Sequence, residues 1–198
     1  MSVNQITFFA VDNGDAVLLE AHGRTVMTDI NYRGACADEE DETNDFAPTI
    51  RSACNDDSLD IFVLTHPDED HLRGFGEVFH LGAPSERDND PDDGDVKLIV
   101  NEIWCSPYGA NPNYKTDASR PFLNEIARRK RLQGSTDSEL DGNRLKVLSA
   151  SDRKSTKICD GLEWRLLAPS PDEANIPIAI GDEPKNSSNP SSLVIQWA

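Results

Sequence analysis

Apolar residues in this chain fall into short blocks, and the spacing inside each block predicts its element. Residues 5–11 (QITFFAV), 16–21 (AVLLEA) and 25–30 (TVMTDI) are β-rich runs. Asp12-Asn13-Gly14-Asp15 and His22-Gly23-Arg24 separate them with turn chemistry. Phe46, Ile50, Ala53 and Cys54 recur at helical spacing behind Asp45 as an N-cap, with Pro48 in the first turn. Residues 60–65 (DIFVLT) are apolar almost throughout, which predicts a strand buried on both faces with layers above and below it. Leu72, Phe75 and Phe79 form a second helical stripe, weakened by Gly74 and Gly76. A strand is expected at 96–104. A helix is expected over 118–132, with Phe122, Ile126 and Leu132 inward. Strands are expected at 145–149, 162–168 and 191–197. The order is strands, helix, strand, helix, strand, helix, strands. It predicts a layered α/β architecture, and without repeat or linker it reads as one domain over residues 1–198.

Composition narrows the class. The chain has 198 residues, 37% hydrophobic and 28% charged, a globular balance on the polar side. Its net charge of −17 repels nucleic acid and anionic membrane unless metal ions or a local basic patch intervene. No apolar run approaches a membrane span of ~18 residues, and residues 1–10 do not read as a secretory signal. Cys36, Cys54, Cys105 and Cys159 form no CxxC pair, which excludes a zinc ribbon and predicts reduced thiols in a cytoplasmic protein. The acidic stretches 38–42 and 85–95 read as solvated loops and lack calcium-loop spacing.

The chemistry concentrates at residues 65–71, Thr-His-Pro-Asp-Glu-Asp-His, directly after the buried run. His66, Asp68, Asp70 and His71 are four potential metal ligands within six residues. In an extended backbone alternate side chains point the same way, so His66, Asp68 and Asp70 converge while His71 turns into the following helix. Glu69 points away. Imidazole and carboxylate together suit zinc, manganese or iron, with the oxygen-rich share leaning toward manganese or zinc.

This stretch resembles the metal-loop signature HxHxDH of the metallo-β-lactamase superfamily. Aspartate at position 68 replaces the second histidine, and that variant is similar to the ComEC-like subgroup of competence (DNA-uptake) proteins. Val11-Asp12-Asn13-Gly14-Asp15-Ala16, Thr28-Asp29-Ile30-Asn31 and Ser188-Asn189-Pro190-Ser191-Ser192-Leu193-Val194 resemble further segments of that subgroup. Asp12 stands where the subgroup has glycine, and Asn31-Tyr32 where it has a small turn residue. The resemblance implies an αββα sandwich, of which this chain covers only the N-terminal αβ half. The family's later bridging aspartate and further histidine have no counterpart, and Gly181-Asp182 precedes the last strand instead of following it. It also implies up to two divalent ions, zinc or manganese, held by His66, Asp68, Asp70 and His71. Asp70 is then the catalytic residue at the nucleophilic water, and Asp29 supports the metal loop from behind.

The implied activity is hydrolysis by metal-activated water, with a phosphodiester as the favoured substrate class. The alternatives are a hydrolase of a lactone, thioester or amide, and a regulatory half-domain or split-hydrolase subunit. In the last case a second polypeptide or C-terminal half completes both sheet and site. Four ligands give two ions about two each, so residues 1–198 alone are expected to bind metal weakly and to be inactive. Outside the cluster, His22 reads as a surface turn residue, His80 as a packing or solvent residue, and Asp15 as a turn cap. Arg128, Arg129, Lys130 and Arg131 read as a solvated helix end favoured by the helix dipole, with phosphate contact as the alternative.

Overall fold

The computed structural model describes residues 4–11, 14–34, 45–88, 96–111, 116–152, 156–168 and 192–198. Six strands form one mixed sheet in sequence order: β1 (Gln5–Phe8), β2 (Val17–Ala21), β3 (Arg24–Thr28), β4 (Ser58–Val63), β5 (Ile99–Cys105) and β6 (Arg144–Val147). β1, β2 and β3 are antiparallel, as their short turns require, whereas β3 to β6 run parallel through helical crossovers. Those helices are α1 (Ala47–Ala53), α2 (Phe75–Val78) and α3 (Ser119–Leu132). A second, antiparallel sheet has the order β7 (Thr156–Cys159), β8 (Leu162–Ala168), β9 (Val194–Trp197).

The double-sided apolar strands have layers on both faces. Met27, Phe62, Leu64, Ile103 and Cys105 point into a core shared with Ile50, Phe75, Phe79 and Phe122 of the helical layer. Val26, Ile61, Val63 and Trp104 point the other way, against Trp164 and Leu166 of the second sheet and Leu193 just before β9. Trp104 stacks on Trp197 with ring centroids 5.8 Å apart, and the Lys146 ammonium sits 4.5 Å from the Trp104 ring centre. The mixed α/β architecture expected from the sequence is therefore present. Among the described residues no helix is long and apolar enough to cross a membrane.

Three expectations need correction. The first strand is shorter than 5–11, although Val11 is buried beyond its end. The Leu72–Phe75–Phe79 stripe is buried, yet only Phe75–Val78 is α-helical. Gly74 starts that turn at φ +77, and Phe79 leaves it to bridge Leu98. The basic end of α3 is only in part a solvated face: Lys130 and Arg131 are exposed, but Arg128 and Arg129 turn inward. Arg129 is 2% exposed, donates to Glu125, and reaches the carbonyls of Val100 and Arg144. Arg128 is held by Glu125, Asn143 and the Gly142 carbonyl, and Lys130 by the Ala110 carbonyl. Leu132 is only half-buried.

Candidate functional site

The site is assembled where β3 and β4 end side by side. After Thr28 the chain turns through Asp29, whose φ of +55 is a left-handed conformation that aspartate tolerates better than most residues. The Asp29 amide donates to the Val63 carbonyl, and the amides of Ile30 and Tyr32 donate to the carbonyls of His71 and Arg73. Residues 29–32 thus line the floor under the loop that follows β4.

Beyond β4, Thr65 to Asp68 run without helical structure, and Asp68 is extended at φ −69, ψ 155. Glu69–His71 then form a single 3₁₀ turn, with the His71 amide donating to the Asp68 carbonyl. The expected alternation therefore stops at Asp68. Asp70 reaches the site through the turn, and the same turn carries His71 back over Asp29. Glu69 faces solvent and pairs with Arg73 at 2.9 Å.

The two imidazoles lie against each other, with ring centroids 3.7 Å apart. His66 Nε2 is 3.5 Å from Asp68 Oδ2, and His71 Nε2 is 3.9 Å from Asp70 Oδ2. Both separations are longer than an ordinary hydrogen bond. They suit neighbouring ligands of one ion, since two atoms each ~2.05 Å from a tetrahedral centre are about 3.3 Å apart. The nitrogen-and-carboxylate donor set fits zinc or manganese. The four residues named from the sequence thus lie as two pairs, His66 with Asp68 and His71 with Asp70, joined by the imidazole contact. Among the described residues the three ligand atoms that lie within 4.8 Å of one another belong to Asp15, Asp29 and His71.

Behind them Asp29 is fully buried. Its Oδ1 accepts from the Thr65 amide at 2.8 Å, and its Oδ2 accepts from the Thr65 hydroxyl at 2.5 Å and from His71 Nδ1 at 2.8 Å. With both oxygens engaged, Asp29 orients a histidine instead of offering a free ligand, the usual arrangement behind metal-bound imidazole. Burial pushes the Asp29 carboxyl above its ordinary range, against the pull of His71 and Thr65. Burial also works to lower His71, but the hydrogen bond and charge of Asp29, with Asp70 and Asp15 adding, leave it raised. Burial and the neighbouring His71 charge push His66 down, against the nearby aspartates.

Sequence reasoning missed Asp15. Instead of a mere turn residue, it presents its carboxylate within 4.8 Å of ligand atoms of Asp29 and His71. The register explains this: Val17 pairs with Thr28, so the residues preceding β2 lie beside the residues following β3. Gly14 makes the approach possible. It has φ +117, and a Cβ there would stand 2.3 Å from the Asp70 carbonyl oxygen. His22 lies in the β2–β3 turn, at the far end of these strands, and His80 lies 2.9 Å from the Ala83 carbonyl. Gly181-Asp182, Ser188 to Ser191, Cys36 and the acidic stretches 38–42 and 89–95 fall outside the described residues.

No protein-family model matches the chain, and no curated protein matches it.

Proposed function

We propose that this chain is a metal-dependent hydrolase with a metallo-β-lactamase-like αββα arrangement, acting on phosphodiesters. The observation that carries the reading is the placement of the His66–Asp68 and His71–Asp70 pairs, their imidazoles in contact and Asp15 beside His71, at the C-terminal end of a central parallel strand. In open α/β sheets that end is where ligands bind. The two Nε2 atoms and the two carboxylates would hold zinc or manganese, with Asp15, whose carboxylate lies within 4.8 Å of a ligand atom of His71, as a further donor. A divalent ion, when bound, supplies Lewis acidity and lowers the pKa of a coordinated water. Asp29 keeps His71 turned outward. Asp70, its side chain 43% exposed, accepts a hydrogen bond from the nucleophilic water and orients it. Asp68, 39% exposed, faces His66 from the solvent side.

The substrate class rests on the ComEC-like form of the loop, with aspartate at position 68. The net charge of −17 favours a short phosphodiester over a long nucleic acid. The internal engagement of Arg128 and Arg129 also leaves only Lys130 and Arg131 exposed at that helix end, a reduced basic patch for a polyanion. The test is a hydrolysis panel of a chromogenic phosphodiester, a lactone and a thioester, with added Zn²⁺ or Mn²⁺. Asp15 raises the donor count from the four expected to five, so metal-dependent phosphodiester turnover by the chain itself, lost in D70N, is now the expected result in place of inactivity. Turnover of the lactone or thioester alone would move the assignment to that class, and turnover indifferent to D70N would overturn the site.

A second reading, a half-domain or split-hydrolase subunit completed by another polypeptide, draws on the second sheet. Leu167 and Val194 are 44% and 48% exposed there, on the side facing away from the Trp104 core. Turnover that appears only when a complementing polypeptide is added would favour it.

A further inference from the structure

The Thr65 hydroxyl touches both Asp29 Oδ2, at 2.5 Å, and His66 Nδ1, at 3.0 Å. A hydroxyl has one proton to give and two lone pairs to accept with. Two oxygens 2.5 Å apart share a proton. Paired with the His71 ring as a carboxylate, Asp29 has none to offer: its Oδ1 accepts from the Thr65 amide, and its Oδ2 lies 2.8 Å from His71 Nδ1. The Thr65 proton therefore goes to Asp29, and the hydroxyl can only accept from His66. That fixes the His66 proton on Nδ1 and leaves the lone pair on Nε2, the atom 3.5 Å from Asp68.

We propose that Thr65 is a positioning residue that relays the hold of Asp29 to the second histidine. One buried carboxylate then sets the tautomer of both imidazoles, His71 directly and His66 through the Thr65 hydroxyl. Both Nε2 lone pairs turn toward the carboxylates of the site. The Thr65 backbone is pinned independently of its side chain, because its amide donates to Asp29 and its carbonyl accepts from the Leu193 amide at 2.9 Å. Exchanging the hydroxyl for a methyl thus removes the relay and leaves the chain path in place. For metal binding the inference rests on the proposed site, but the tautomer itself does not.

The experiment is imidazole ¹⁵N NMR of the full chain, first metal-free above pH 7, then with zinc alone. Wild-type protein should show both His66 and His71 protonated on Nδ1. In T65V the His66 proton should move to Nε2, the form that free neutral imidazole side chains prefer, while His71 stays unchanged, and T65S should restore the wild-type pattern. Zinc affinity should fall ~10-fold or more in T65V and return to within ~3-fold of wild type in T65S. A wild-type His66 carrying its proton on Nε2, or a T65V spectrum identical to wild type, overturns the relay. If wild type binds no zinc while the tautomers behave as stated, the relay stands and the metal reading falls.

Discussion

Two clusters in this molecule bury charge, and they differ in how completely their polar atoms are used. On α3, Glu125 accepts from Arg128, Arg129 and the Gly82 amide, and Arg129 gives two further N–H groups to the Val100 and Arg144 carbonyls. That cluster is closed: its partners all come from the protein, and it ties α3 to β5 and β6. At the end of β4 the inner half is equally closed, through Asp29, Thr65 and His71 Nδ1. The outer half is open. Two Nε2 atoms and two half-exposed carboxylates face one another at 3.5 and 3.9 Å. A saturated charge cluster serves stability. One saturated only on its buried side leaves its outer ligand atoms available, which is the basis of the metal site proposed above.

Substitutions should separate the two. The largest effect is expected in D70N, where kcat should fall at least ~10³-fold because transition-state charge stabilisation worth several kcal/mol is withdrawn. Thermal unfolding should show little change, since Asp70 is half-exposed. R129A should do the reverse. It leaves Glu125 buried with part of its pairing gone, and chemical denaturation should register a loss of about 3–5 kcal/mol. Turnover per folded molecule should be unchanged. If D70N unfolds the protein or R129A abolishes turnover, the distinction between the clusters fails.

A smaller effect is expected at Gly14. In G14A the new methyl meets the Asp70 carbonyl, so stability should fall by about 1–3 kcal/mol and zinc affinity should fall with it. Wild-type zinc affinity in G14A would mean that the 14–15 turn is not part of the site. The closed cluster also predicts a pH dependence. Burial alone would raise Glu125, but Arg128 and Arg129 outweigh it and hold its carboxyl below the ordinary 4.5. A carboxylate depressed in the folded state contributes stability above its unfolded pKa and loses it as pH falls through the folded value. Denaturation midpoints of wild type should therefore drop below pH 4.5, and E125Q should flatten that part of the profile. The smallest effect is expected in R73A. Its exposed partner Glu69 makes the pair worth at most about 1 kcal/mol, and neither zinc affinity nor turnover should change.

What was legible in the sequence follows the range of the interactions. The buried strand read at 60–65, which runs two residues earlier as Ser58–Val63, and the core of α3 could be read because their apolar patterns are local. His66, Asp68, Asp70 and His71 could be read because they are contiguous. Asp15 could not, because it reaches Asp29 and His71 only through the pairing of β2 with β3. Arg129 was misread for a related reason. Its i−4 partner Glu125 is visible in the sequence, but its burial depends on Val100 and Arg144, brought in by β5 and β6. The Leu72–Phe79 stripe gave the buried positions correctly and the helix length wrongly, because the pattern reports burial and Gly74 sets the backbone.

The central claim, that the open cluster at the end of β4 holds a divalent cation, is tested most directly by calorimetric zinc titration of chelator-treated protein. Wild type, R129K and the double variant H66A/H71A should be compared, each checked for folding by circular dichroism. One equivalent of zinc should bind to wild type and R129K and be lost in H66A/H71A. A folded wild-type protein that takes up no zinc, or a double variant that binds it as wild type does, would contradict the account.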